Sequence, residues 1–249
     1  MKKFFMFLAV IGFIAIAAND AVAQTNDAAA QELLAGASSD APVYQQIKAK
    51  FIDGGVGFMA AVLLCLILGL AVAIERIIYL SLSTTNTSKL VAKVEDALAN
   101  GGVEAALEVC RNTRGPVASI FYQGLSRMDQ GLEAVEKSVV SYGGVQAAQL
   151  ETGLTWLSLF IAMAPNLGFL GTVIGMIGAF DAIQAAGDIS PIVVASGIKV
   201  ALITTVAGLI VALILQVFFN YITSKVESLV ITMEDASVSL IDILVKAKK

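Results

Sequence analysis

The residues of this chain that are best suited to chemistry are polar side chains set inside long apolar stretches. Hydroxyl, amide and ammonium groups occur between residues 152 and 224, at Asn166, Thr172, Ser196, Lys199, Thr204, Thr205, Gln216 and Asn220. A hydroxyl both donates and accepts a hydrogen bond, so it can relay a proton, but it does not titrate in the ordinary pH range. No Asp or Glu lies in the middle of these stretches, because Glu75, Asp181 and Asp188 are near their ends. If the chain helps to move protons, the titrating acid must therefore come from another chain.

Composition excludes several other kinds of chemistry. The 249 residues are 57% hydrophobic and only 14% charged, whereas roughly a quarter of an ordinary soluble domain is charged. The absence of His removes His-based triads, metal sites and proton relays. We expect no cofactor, no metal site and no enzymatic activity, since the apolar stretches contain neither paired acids nor an activated nucleophile. A net charge of -4 gives no case for binding nucleic acid, and Cys65 and Cys110 are expected to be free thiols.

Small residues form a stripe on each of two apolar stretches. Within "APNLGFLGTVIGMIGAF" the glycines share one helical face, and they are Gly168, Gly171, Gly175 and Gly178. The next stretch has a matching face of Ala201, Thr205, Gly208 and Ala212. Because small residues let helix backbones approach closely in lipid, the two stretches are predicted to pack tightly on each other or on a neighbouring subunit.

The two threonines beside these stripes are the strongest candidates for function. A lone Thr in a membrane helix usually returns a hydrogen bond to its own backbone, but Thr172 and Thr205 lie on or next to a close-packed face. There they can line a path or hold a partner helix. Further candidates for pore or partner contacts are Asn166, Ser196, Lys199 and Thr204. Lys199 either extends outward to the membrane surface or pairs with an acid on a partner.

The elements that position these residues follow from hydropathy, and the expected fold is all-α. Lys2 and Lys3, an apolar core and "AVA" before Gln24 predict a cleaved signal peptide, although an uncleaved membrane helix is the alternative. We predict the following segments: signal peptide 1–23, periplasmic leader 24–53, transmembrane helix 54–80, cytoplasmic helical domain 81–151, transmembrane helix 152–183, periplasmic turn 184–191, transmembrane helix 192–224 and cytoplasmic helical tail 225–249.

Several local signals refine this outline. "VYQQIKAKF" predicts a short surface helix at the end of the leader, and "NGG" after Ala99 predicts a helix break. Two short amphipathic helices follow, separated by "RGP", and the helix "LEAVEKSVVSYGGVQAAQLE" is predicted to run straight into the second membrane span. Pro191 is well placed to begin the last helix. The tail keeps an apolar stripe, which predicts a helix that packs on the cytoplasmic domain.

The distribution of basic residues gives the orientation. Residues 81–151 carry six basic side chains, Lys89, Lys93, Arg111, Arg114, Arg127 and Lys137, and the tail carries four more. The turn between the second and third spans has none. Because basic residues are enriched in cytoplasmic loops, the large loop and the C-terminus are predicted to be cytoplasmic, and the mature N-terminus periplasmic.

Three stretches resemble the signatures of the MotA/TolQ/ExbB proton channel family, most closely its ExbB members. They are "LAVAIERIIYL", "APNLGFLGTVIGMIGAF" and "GIKVALITTVAGLIVALILQVFFNY", and the resemblance covers residues 56–221. It implies an inner-membrane homopentamer around an ExbD-like single-span partner whose intramembrane Asp carries protons. The resulting force would pass to a TonB-like protein that drives transport across the outer membrane. The pathway threonines of the family fall on Thr172 and Thr205, and its proline on Pro165.

The resemblance has departures and leaves alternatives open. The third-span Glu of the family falls on Val200, beside Lys199; "ALIL" replaces "AIPA"; and Gln216 stands where an apolar residue is usual. A TolQ-like motor for envelope integrity, or a stator for gliding or flagella, remains an alternative within the family. A flagellar stator is expected to have four spans and a larger cytoplasmic domain. The coupling ion, proton or sodium, stays open.

Overall fold

The structure is a computed structural model that describes residues 43–187 and 191–247. The predicted signal peptide, most of the predicted leader, residues 188–190 and the last two lysines lie outside this range. The described residues form seven α-helices and one 3-10 turn, with no strand among them, which confirms the all-α prediction. The described residues from Phe51 onward belong to one compact unit, which contains all the sites below.

Three helices are long and apolar enough to cross a membrane, as predicted. A short helix α1 (Val43–Asp53), present where a surface helix was expected, is followed by α2 (Val56–Ser83). The other two long helices are α6 (Leu154–Ala186) and α7 (Pro191–Ala247). In the most apolar window of each, only 22%, 22% and 28% of the residues are buried within the chain. Most of each surface must therefore be covered by lipid or by other chains.

The remaining helices form a compact group of their own. They are α3 (Thr87–Arg111), α4 (Pro116–Leu125), the 3-10 turn Met128–Gln130 and α5 (Leu132–Glu151). They pack on the second half of α7, and we name this assembly the bundle. Its core is made of large side chains that are fully buried, including Ile120, Phe121, Leu125, Leu240 and Leu244. The tail helix therefore packs on the loop helices, as its apolar stripe indicated.

The starts of the bundle helices follow from ordinary sequence signals. The Asn86 side chain accepts a hydrogen bond of 3.1 Å from the backbone N–H of Lys89, which caps the start of α3. Pro116 occupies the first position of α4, where its missing N–H is not needed. Cys65 and Cys110 are free and buried, which confirms the two free thiols.

Two glycines interrupt helices, one where a break was expected and one where it was not. Gly102, in "NGG", has φ 71 and ψ −164, so α3 is kinked there. Thr152 and Gly153, with φ 89 at Gly153, separate α5 from α6, which corrects the expectation that α5 runs straight into the second span. The reason is backbone conformation, because a positive φ is readily adopted only by glycine.

The ends of the last two helices partly match the predicted segments. The helix α7 begins at Pro191, as its residue type predicted. The helix α6 continues through Ala186 and ends at Gly187, whose φ of 69 is left-handed, so the first residues of the predicted turn at 184–191 are helical. The helix α7 runs without interruption past residue 224, and the division into membrane and aqueous segments stays a prediction.

Candidate functional site

The helices α6 and α7 run antiparallel and pack closely along small residues, and we name this contact the seam. A Cβ placed on Gly208 would lie 2.5 Å from the carbonyl oxygen of Ala164. A Cβ on Gly168 would lie 2.9 Å from the carbonyl oxygen of Thr204. Because both obstacles are backbone atoms, these positions accept only glycine. The predicted small-residue faces thus meet each other within one chain.

Toward the end of α6 and the start of α7, the seam differs from the predicted stripe at one glycine. Gly171 and Gly175 contact α7, at Thr204 and Ala201 respectively, whereas a Cβ on Gly178 would meet nothing within 4 Å. Helix geometry explains this, since at ~100° per residue Gly178 lies about 80° around the helix from Gly168, and Ala179 only about 20°. Ala179 is the residue that contacts Gly197 of α7. The assignment of Gly178 to the packing face is therefore corrected within this chain.

The two candidate threonines meet across the seam. The hydroxyl oxygens of Thr172 and Thr205 are in direct hydrogen-bond contact. The Thr172 hydroxyl also lies 3.1 Å from the carbonyl oxygen of Ala201, and that of Thr205 lies 3.3 Å from the carbonyl oxygen of Gly168. Since each hydroxyl has one hydrogen, one threonine donates to the other while the second donates to a backbone carbonyl. This arrangement is a short donor–acceptor chain that links the two helices, and we name it the threonine pair.

Thr204, the neighbour of Thr205, occupies a different environment. Its side chain is fully buried and fills the space opposite Gly171. Its hydroxyl donates to the carbonyl oxygen of Ala201 in its own helix at 2.8 Å. The structure therefore places Thr204 inside the seam rather than at a surface open to a partner, and this corrects its selection as a pore or partner contact.

Lys199 has an acidic partner that the sequence did not reveal. Its ammonium nitrogen lies 2.7 Å from a carboxylate oxygen of Asp53, the last residue of α1. Both side chains are partly exposed, 56% for Lys199 and 37% for Asp53. The acid in this contact lies in the same chain. A Cβ placed on Gly55 would lie 3.8 Å from a methyl carbon of Val200, so the start of α2 lies beside this part of α7.

The other two candidates are exposed and stand apart from the threonine pair. Asn166 is on an exposed face of α6. Ser196 is exposed on α7 and lines a cleft of about 440 Å³ together with Gly175, Gly178, Ala179, Ala182, Gly197 and Val200. This cleft is walled by small side chains and has no charged group among its lining residues. It offers room for an apolar group rather than a set of ligands.

The seam itself contains no titratable acid. Among the described residues, Asp53, Glu75 and Asp181 lie near the ends of the apolar segments, and no group of three metal-binding side chains occurs. The threonine pair can accept, donate and pass on a proton, but it cannot store one. A path built on it needs an acid from outside the described part of this chain.

Comparison with known proteins places this arrangement in a family. The model of the MotA/TolQ/ExbB proton channel family matches residues 112–235, which include both threonines. An ExbB-like protein of Synechocystis is 32% identical over 179 residues, covering 70% of this chain and 70% of the relative. The chain belongs to the MotA/TolQ/ExbB proton channel family. Together with its three apolar helices, this membership indicates a membrane protein.

Two further relatives carry the same name. An ExbB homolog of Methanothermobacter thermautotrophicus is 35% identical over 162 residues, which are 65% of this chain and 57% of the relative. The ExbB protein of Xanthomonas campestris is 38% identical over 113 residues, 45% of this chain and 43% of the relative. The match thus spans about half the length of these two proteins. The likeness to ExbB members confirms the subfamily that the sequence motifs indicated.

Proposed function

We propose that this chain is an ExbB-like inner-membrane subunit of a proton-driven motor complex that energises TonB-dependent transport across the outer membrane. The observation that carries the proposal is the threonine pair, two hydroxyls in contact across a seam that has no acid of its own. Such a pair can pass a proton to and from a carboxylate brought by another helix. Family membership supports a proton as the transported ion.

The partner that fits this site is a single-span, ExbD-like protein with an Asp at membrane depth. The described residues of α2 and α6, and of α7 before Lys225, supply no such acid in mid-span. Several copies of this chain, five by the family resemblance, would surround the partner helices and cover the large exposed apolar surface of α6 and α7. A TonB-like protein would receive the force, and lipid would cover the outside.

The proposed orientation puts the bundle in the cytoplasm and the start of α7 at the periplasmic surface. The basic side chains of α3 to α5, among them Arg111, Arg114 and Arg127, support it. Under this orientation the Asp53–Lys199 ion pair lies at the periplasmic end, and protons move from that end, past the threonine pair, toward the bundle.

The decisive test replaces one hydroxyl with a methyl group of the same shape. Thr205→Val should reduce proton flux through the complex reconstituted with its partner to background, while Thr205→Ser should retain much of it. Thr232→Val is the matched control, because that hydroxyl donates only to its own helix at Ser228, at 2.8 Å. Normal flux with Thr205→Val, in a complex that assembles normally, would refute the role of the threonine pair.

A second candidate function within the family is a TolQ-like motor for envelope integrity or a stator for gliding or flagella. The seam and the threonine pair are equally compatible with it. Deletion of the gene distinguishes the systems, because loss of TonB-dependent uptake supports the first function. Leakage of periplasmic contents in detergent supports a TolQ-like motor, and loss of motility supports a stator.

A further inference from the structure

A polar cluster lies on α7 between the seam and the bundle. The side-chain amide of Gln216 donates to the amide oxygen of Asn220 at 3.1 Å. Gln216 is partly buried and Asn220 is exposed. One turn further on, the hydroxyl oxygen of Thr223 is buried and has no hydrogen-bond partner among the described residues. We name these three residues the amide cluster.

Contacts with α2 give the depth of this cluster in the membrane. A Cβ on Gly69 would lie 2.6 Å from a methyl carbon of Leu215, so Gln216 is level with the middle of α2. Seven residues separate Gly69 from Arg76 at the end of the apolar run, a distance of about 10 Å along the helix. The exposed side chains of Leu213 and Ile214 beside Gln216 agree with a position in the hydrocarbon.

Exposed amides are costly at this depth unless they are hydrogen-bonded. Lipid offers no donors or acceptors, and the mutual bond of Gln216 and Asn220 uses only one hydrogen and one oxygen of the two amides. The remaining N–H groups, the Gln216 oxygen and the Thr223 hydroxyl still need partners. Gln216, the deepest member of the cluster, is therefore poorly suited to a surface that faces lipid.

The cluster is aligned with the threonine pair. At ~100° per residue, Gln216 lies about 20° around α7 from Thr205, Asn220 about 60° away, and Thr223 directly in line. Ala212, a small residue, lies between them on the same face, at about 20°. Beyond the cluster the face continues into Glu227 and Glu234, which are exposed. A polar track thus leads from the threonine pair to an acidic surface beside the bundle.

We propose that Gln216 and Asn220 line a water-filled cleft through which protons pass between the threonine pair and the aqueous phase on the bundle side, and that the buried Thr223 hydroxyl bonds to a water at its wall. This inference rests on the proposed function and adds the exit to it. Water is the occupant because the cluster offers both donors and acceptors and no charge, and because the same face opens onto exposed carboxylates. A partner helix with its own polar group at this depth would instead exclude water.

The test measures access of water to these positions in the assembled complex with its partner, in membrane vesicles with the bundle side outward. In a background with Cys65→Ala and Cys110→Ala, each of Gln216→Cys and Asn220→Cys is treated with a charged methanethiosulfonate reagent. Since this reagent attacks thiolates in water, we expect labelling roughly tenfold or more faster than for a thiol in lipid. Ile214→Cys is the matched control, at the same depth but about 160° around the helix from Gln216.

Two outcomes would overturn the proposal. One is labelling of Gln216→Cys as slow as that of Ile214→Cys; the other is fast labelling only when the partner protein is absent, which would mean that a partner helix covers the cluster. In intact complexes Gln216→Leu should also lower proton flux severalfold, and Gln216→Ser should restore it. The accessibility result does not depend on flux, so a cleft that is labelled while Thr205→Val conducts normally would refute the proposed function and leave the cleft standing.

Discussion

The seam and the bundle are held together by opposite kinds of side chain, although one helix, α7, takes part in both. In the seam, α7 presents Ala201, Thr204 and Gly208 to the backbone of α6. In the bundle, the same helix presents Leu240 and Leu244, both fully buried. Lipid gives no hydrophobic gain for helix contact, so close backbone approach supplies the attraction. In the bundle, which we propose to be surrounded by water, burial of large apolar side chains is itself favourable in free energy.

Glycines in the two regions illustrate the difference. Gly124 in the bundle would bring an added Cβ to 2.6 Å from a methyl group of Val139, a side chain that can move. Gly208 in the seam would bring it to 2.5 Å from a backbone carbonyl, which cannot move without shifting a helix. The seam is therefore the less tolerant of the two contacts, and the bundle the one that depends more on buried area.

The largest effect is expected from filling the seam. Gly208→Val should prevent the packing of α6 on α7. The loss of stability should exceed the ~1–3 kcal/mol typical of overpacking, because the obstacle is a backbone atom that cannot move aside. Yield and monodispersity of the purified complex measure it. Gly178→Val makes the same chemical change where a Cβ meets nothing within 4 Å. Equal loss in both variants would mean that helix propensity, and not the close approach, is responsible.

A large but local effect is expected from emptying the bundle core. Phe121 is fully buried, and Phe121→Ala should destabilise the bundle by ~3–5 kcal/mol. Hydrogen exchange should rise in α4 and α5 and remain slow at the seam. Val140→Ala, on a side chain that is 69% exposed, is the control. A matching rise at the seam would show that the two regions unfold as one unit.

A moderate, pH-dependent effect is expected at Cys110. Burial raises the pKa of this thiol from 9.0 to about 11, so the folded bundle holds the proton at pH values where the unfolded chain releases it. Stability should therefore fall as the pH rises through this window. Urea unfolding at about pH 8 and about pH 10 measures the change. Cys110→Ala should be less stable than the parent protein at both pH values, but its stability should fall less between them. If its stability falls by the same amount as that of the parent, other titrating groups cause the pH dependence.

The smallest effect is expected at the Asp53–Lys199 ion pair. Both side chains are more than a third exposed, so solvent screening limits the coupling to about 0.2–1 kcal/mol. A double-mutant cycle with Asp53→Asn and Lys199→Gln, read by thermal stability of the complex, measures it. The exchanged pair Asp53→Lys with Lys199→Asp should recover the loss. A coupling of several kcal/mol would mean that the pair is shielded by a neighbouring subunit.

Sequence reasoning went furthest where a pattern repeats along one helix. The spacing of Gly168, Gly171 and Gly175 was enough to predict a close-packed face, and "NGG" predicted the kink at Gly102. It failed at Gly178, which belongs to the spacing but lies too far around the helix. It also missed the break at Gly153, since a glycine within an apolar pattern gives no sign of its φ.

The sequence by itself determined the three apolar spans, the helical fold, the family and the position of each threonine beside a small-residue face. These properties depend on neighbouring residues, through helix period and hydropathy. Only the tertiary structure decided that the two faces meet within one chain, that Thr172 touches Thr205, and that Asp53 pairs with Lys199. Such contacts join residues far apart in sequence, and a shift of one residue rotates a side chain by about 100°, so helix register decides them.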